Sequence, residues 1–161
     1  MRKRQYLVLL LVVLLALSAT AAGAAASRNY RAHLSGGPSG TDSQGQGQAI
    51  FQFSKDGTEL SYKLILANIE NVTQAHIHIA PAPGANGPIA LWLLPDGPPS
   101  QLIPGRSDGV VAERTVTAAD LVGPLAGMTF DDLRAAIADG LAYVNVHTSQ
   151  FPGGEIRGDI Q

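Results

Sequence analysis

The sequence predicts an all-β fold, a two-layer antiparallel β-sandwich of Ig-like or Greek-key type carrying one short helix. Three observations lead there. Apolar residues alternate with polar ones in short runs, the signature of strands buried on one face. Glycine and proline, 18 and 10 of 161 residues, punctuate those runs at short intervals. Only one stretch of any length, near 130–139, changes to the helical period.

The elements follow in order. NYRAHLSG, 29–36, is the first strand, and GPSGTDSQGQGQ, 37–48, is a polar, glycine-rich surface loop. AIFQF and ELSYKLILANI flank Asp56-Gly57, a hairpin turn pair, with Leu60, Tyr62, Leu64 and Leu66 on one face of the second arm. VTQAHIHI, 72–79, is a separate fourth strand, broken by PAPGANGP, 81–88. IALWLL, 89–94, is the fifth. The prolines of PDGPPSQLIPGRSDG rule out a central strand there, and VVAERTV, 110–116, is the sixth. Thr117 to Asp120 and Thr129 to Asp132 both have capping-box spacing, with aspartate at the third position. The second opens a helix whose Phe130, Leu133 and Ile137 share a stripe, ended by Gly140. LAYVNVHT and EIRGDI are the last two strands.

The N-terminus has the form of a secretory signal peptide, residues 1–26. MRKR precedes an apolar stretch, LVLLVVLLAL, and then small residues ending Ala24-Ala25-Ala26. An uncleaved anchor is the alternative, because Leu7 to Ala26 is about long enough to cross a bilayer. Cleavage leaves a single domain, 27–161, secreted or periplasmic, with no stable membrane insertion. Three of the 11 Lys+Arg leave with the leader, so the remainder carries eight basic against thirteen acidic side chains. No basic stripe is present, and nucleic acid is not an expected partner. The chain has no cysteine. Disulfides, thiolate chemistry and cysteine-based metal centres are therefore excluded, and a metal would need nitrogen and oxygen ligands.

The candidate site is AHIH with its later counterpart YVNVHT. Side chains alternate across a strand, so Ala75, Ile77 and Ile79 face inward while His76 and His78 look outward, onto solvent or beneath a loop. Val144 and Val146 face inward likewise, with Tyr143, Asn145 and His147 opposite. Pairing the two segments would gather His76, His78 and His147 on one surface, a set able to hold copper or zinc. Glu155 could supply a fourth ligand or orient an imidazole. The competing reading is structural, the imidazoles bonding backbone carbonyls and fastening PAPGANGP. His33 is a surface residue. No catalytic residues are identified: there is no Gly-x-Ser-x-Gly elbow, and Asp131 and Asp132 sit at a helix start where they favour the dipole. Glu155, Arg157 and Asp159 form a charged outer face on the last strand. The embedded Arg157-Gly158-Asp159 is not expected to act in adhesion, and Asn71-Val72-Thr73 is a glycosylation sequon only in a host that uses it.

AHIHIAPAPGANGPIALWL together with YVNVHTSQFPGGEIRGDI resembles the CHRD domain, named from chordin and also present in secreted bacterial proteins. YRAHLSG, FSKDGTELSYKL and VTAADL extend the resemblance over residues 27–161. It departs after Leu34-Ser35-Gly36, where family members often carry a Glu-Val-Pro-Pro type segment, so a looser opening hairpin is expected. The resemblance implies an exported β-sandwich. In chordin such domains belong to a protein that sequesters growth factors, but no residue here matches that role. The expectation is a non-enzymatic binding or structural module with an extracellular or envelope protein, or a matrix component, as partner. The alternative is a copper- or zinc-binding metalloprotein with a redox or metal-transfer role, using the surface histidine cluster His76, His78 and His147. No cofactor beyond such an ion is implied.

Overall fold

A computed structural model describes residues 27–161; the leader reading falls on residues 1–26, outside the described residues. Seven strands appear in chain order: β1 Asn29–Ser35, β2 Gln46–Phe53, β3 Glu59–Ile79, β4 Ile89–Leu94, β5 Ile103–Thr117, β6 Ala142–Thr148 and β7 Ile156–Asp159. Among the described residues two α-helices accompany them, a single turn α1 at Gly36–Ser39 and the longer α2 at Phe130–Ala138, with 3-10 turns at Ala118–Asp120 and Gly123–Leu125. Among the described residues no helix is long and apolar enough to cross a membrane.

The all-β, antiparallel character agrees with the sequence. The layering does not: the strands pair in the order β2-β1-β7-β6-β3, and β3 pairs back onto β2, closing a five-strand barrel instead of two separate sheets. The closure is short at one seam. Ser35 pairs with Arg157, Ala32 bridges Ile160, and the backbones of Arg31 and Gln161 exchange two hydrogen bonds of 2.9 Å.

The reason for closure is β3. The sequence reads as two strands parted near 67–71, yet β3 runs unbroken for 21 residues. Val72 pairs with Ile103 of β5 on one side and Thr148 of β6 on the other. One edge of β3 therefore takes β2 and then β6, and the other takes β5 and then β4. A strand shared by both halves ties together what a sandwich would separate. Register shifts at 66–72 let it bend, with Asn68 at φ 55° and Asn71 at φ 53°. Asparagine tolerates that left-handed conformation better than other non-glycine residues. Its neighbours stabilise it here: Asn68 N–H donates to Asp108 Oδ1 at 2.8 Å, and Asn71 Oδ1 accepts from Gly105 N–H at 2.9 Å.

β5 begins at Ile103, earlier than the sequence suggests, and pairs only with β3. Pro104 is tolerated because this is an edge strand. Inside the barrel the alternating residues of β1, β2, β3, β6 and β7 join one hydrophobic cluster, from Leu34 and Phe51 through Leu64 and Ile77 to Val144 and Ile156. Both capping boxes form, Thr117 N–H and Thr129 N–H each donating to an aspartate oxygen at 2.8 Å, although the first heads only a 3-10 turn. α2 buries Phe130, Leu133, Ala136 and Ile137, with Phe130 edge-on to Phe53 at 5.5 Å.

The glycine-rich segment 37–48 is not a free loop. Thr41 Oγ1–H donates to the Glu155 carbonyl at 2.8 Å, and Ser43 Oγ–H donates to Glu155 Oε1 at 2.6 Å. Short hydroxyl side chains do the fastening that composition alone conceals.

Candidate metal centre

Register brings the three histidines together. On β3, His76 lies opposite Asn145 and His78 opposite Tyr143, while Gln74 pairs with His147. The apolar partners Ala75, Ile77, Val144 and Val146 fill the barrel, so the histidines occupy its outer face, as alternation requires. That face is not surface. His76 is 0%, His147 7% and His78 8% exposed, beneath the segments 81–88 and 149–155. The expected surface histidine cluster is thus a buried one, roofed by two loops that register alone does not foretell.

Those loops also set the tautomers. A carbonyl oxygen can only accept, so His78 Nδ1–H donates to Gly87 O at 2.9 Å and His147 Nδ1–H donates to Pro152 O at 2.8 Å. His147 Nε2 is then a lone pair, and His76 Nδ1, 3.3 Å away, must be the donor to it. This leaves His76 Nε2 and His78 Nε2 as lone pairs, and both are buried without a hydrogen-bond partner. An orphaned buried acceptor is costly, and orienting the far ring nitrogen on a backbone carbonyl is how proteins aim an imidazole at a metal. One ring nitrogen from each residue falls within 4.8 Å of the others. Three nitrogens bound at about 2.0–2.1 Å would stand about 3.3–3.6 Å apart, so small ring movements would complete a three-nitrogen set.

Electrostatics keep these rings neutral. Burial, reinforced by the neighbouring His147 and His78, pushes the His76 pKa down to about 3. Burial also lowers His78, against the opposing effect of its bond to Gly87, and lowers His147 against its bond to Pro152. At neutral pH the three rings are uncharged, and only the His147 lone pair is engaged, by His76 Nδ1–H.

A second layer holds the roof. Tyr143 stacks on His78, ring centroids 4.9 Å apart and planes 7° from parallel, and accepts from Gly87 N–H at 3.0 Å. Arg157 lies over the same Tyr143 ring, its guanidinium carbon 3.4 Å from the centroid. It donates to Asn86 Oδ1 and to Ala85 O, each at 2.9 Å. Trp92 of β4 meets His76 edge to face at 4.3 Å. Gly87 is required here, because a Cβ would collide with the Ile79 carbonyl; Gly154, at φ 118°, would collide with Asn145.

A model of the CHRD domain matches residues 30–160. The chain belongs to the CHRD domain family. Among curated proteins and among solved structures, none matches it.

Several expectations for this CHRD domain change. Glu155 does not join the histidines: its carboxylate accepts from Ser43 and from Thr148 Oγ1–H at 2.7 Å, and the cluster contains no carboxylate. Glu155 and Arg157 are buried, so the last strand has no continuous charged outer face, and the Arg157-Gly158-Asp159 tripeptide does not present its arginine. Polar residues on that face are covered by loops folding over them. His33 is exposed, as expected. Sequence reasoning missed Trp92 and Arg157 as neighbours of the site. Trp92 could have been found, since it alternates with the core residues Leu91 and Leu93 on a strand adjoining AHIH, whereas the reach of Arg157 across β6 had no sequence signal.

Proposed function

We propose that this CHRD domain is an exported, non-enzymatic binding module whose ligand is a metal ion, copper or zinc, held by His76, His78 and His147. The observation that carries the reading is the pair of buried, unpartnered Nε2 lone pairs on His76 and His78 beside His147 Nε2. Imidazole donors without cysteine or carboxylate suit late first-row ions and exclude magnesium or calcium. An ion bound at the Nε2 atoms would satisfy both orphans at once and take the His147 lone pair that otherwise accepts from His76 Nδ1–H. The leader-like residues 1–26 support export, to the periplasm or the exterior. A protein or matrix partner of the envelope remains part of this reading, with the metal site beneath the roof.

The second reading has its own support in the two imidazole bonds to Gly87 and Pro152, which pin the roof loops. On that reading the cluster serves the fold alone. Elemental analysis of untagged protein, with copper and zinc titration of wild type, His33→Ala and His78→Ala, separates them. Near-stoichiometric uptake by wild type and His33→Ala, lost in His78→Ala, supports the metal site. Absent uptake, or uptake unchanged in His78→Ala, overturns it; a metal-independent stability loss of about 1–3 kcal/mol in His78→Ala would then mark a structural pin.

A further inference from the structure

The cluster offers three neutral donors and no negative one. Beside it lies a buried positive charge, the Arg157 guanidinium, packed on the Tyr143 ring that in turn stacks on His78. Arg157 is 5% exposed, and it touches Tyr143 rather than His78 itself. Its hydrogen bonds go to the neutral Asn86 and Ala85. The nearest counter-charge, Asp159 Oδ1, is 3.9 Å away on a side chain 63% exposed, where water weakens it.

An ion entering this site is therefore neither neutralised by its ligands nor shielded from Arg157. The work of bringing charge z toward a fixed positive charge rises in proportion to z, and the cost of burying it rises with z². Resting on the metal reading above, we infer that Arg157 is a specificity determinant that makes the three-histidine centre take a monovalent ion, copper(I), in preference to zinc or copper(II). Imidazole nitrogens accept copper in either oxidation state, so ligand type alone does not make this choice. The fixed cation does, without touching the metal.

The test exploits the dependence on z. Any loosening of the 81–88 segment on losing Arg157 weakens both ions alike, whereas loss of its charge favours the dication more. Copper(I) affinity is measured anaerobically against a bathocuproine-type competitor, and zinc affinity against a pyridylazo dye. Emission of Trp92, the sole tryptophan, reports occupancy beside His76. Wild type should bind one copper(I) per chain, more tightly than zinc. Arg157→Gln should move the zinc-to-copper(I) affinity ratio toward zinc by about tenfold, the size of one unit charge felt at this range. Arg157→Lys, which keeps the charge and loses the fork, should leave the ratio near wild type. Should Arg157→Gln fail to fold, Asp159→Asn at the exposed carboxylate moves the ratio the other way, toward copper(I), by about twofold. A ratio unchanged in every variant that folds, or zinc bound more tightly than copper(I) by wild type, overturns the inference and leaves the metal centre standing. If neither ion binds wild type, the metal reading itself falls and this inference with it.

Discussion

The two halves of β3 are built on the same alternation and meet different fates. In residues 59–66, Leu60, Tyr62, Leu64 and Leu66 are buried while Glu59 and Ser61 stay exposed, and Lys63 reaches out to Glu113 at 3.1 Å. In residues 75–78 every side chain is buried, Ala75 and Ile77 on the barrel side and His76 and His78 on the other. The inner faces are equivalent, apolar and packed. The outer faces differ because loops cover only one of them. Alternation tells which residues are turned away from the core, and not whether those residues meet water.

That comparison can be tested from the inner face outward. Leu64→Ala and Ile77→Ala each remove most of a fully buried side chain, one from each half. Both should cost about 2–5 kcal/mol of unfolding free energy in urea titration, whichever outer face lies opposite. A much smaller cost at Ile77 would mean that the roofed half depends on its loops more than on the barrel core.

The outer faces should respond differently to acid. His76 has a folded pKa of about 3 against an ordinary value of 6.5. Between these values the unfolded chain binds a proton that the folded chain refuses, so stability is full above about 6.5 and falls as pH drops toward 3. The limiting slope for one such group is about 1.4 kcal/mol per pH unit, with His78 and His147 adding in the same direction. Urea midpoints of metal-free protein should therefore fall between pH 7 and pH 5, and His76→Gln should flatten that dependence. An equal fall in wild type and variant would place the acid sensitivity elsewhere.

The smallest effect belongs to the uncovered half. Lys63 and Glu113 are 39% and 62% exposed, so Lys63→Ala should change stability by no more than about 0.5–1 kcal/mol, less in high salt. A larger loss would show that this pair fastens β5 to β3 more firmly than an exposed ion pair does.

Much of the molecule is legible along the chain because it depends on short-range patterns. Alternation and turn residues locate the strands and the Asp56-Gly57 hairpin, the two Thr–Asp spacings locate the capping boxes, and the apolar stripe locates α2. The polarity of AHIH and YVNVHT also places all three histidines on one face. The continuity of β3 was hidden because Asn68 and Asn71 look like loop residues, while the hydrogen bonds that hold them bent come from Asp108 and Gly105, some forty and thirty-four positions away.

The sequence by itself determined which side chains turn toward the barrel core, because side-chain direction in a strand is a local consequence of backbone geometry. Only the tertiary structure decided that the ladder closes into a ring, that Glu155 and Arg157 are drawn inside, and that His76 and His78 lose their water while keeping free lone pairs. Those outcomes depend on which distant segment folds over a face and on the carbonyls it carries, Gly87 and Pro152 among them. Coverage removes solvent, and removal of solvent turns an ordinary row of polar side chains into a neutral three-nitrogen set beside a buried cation.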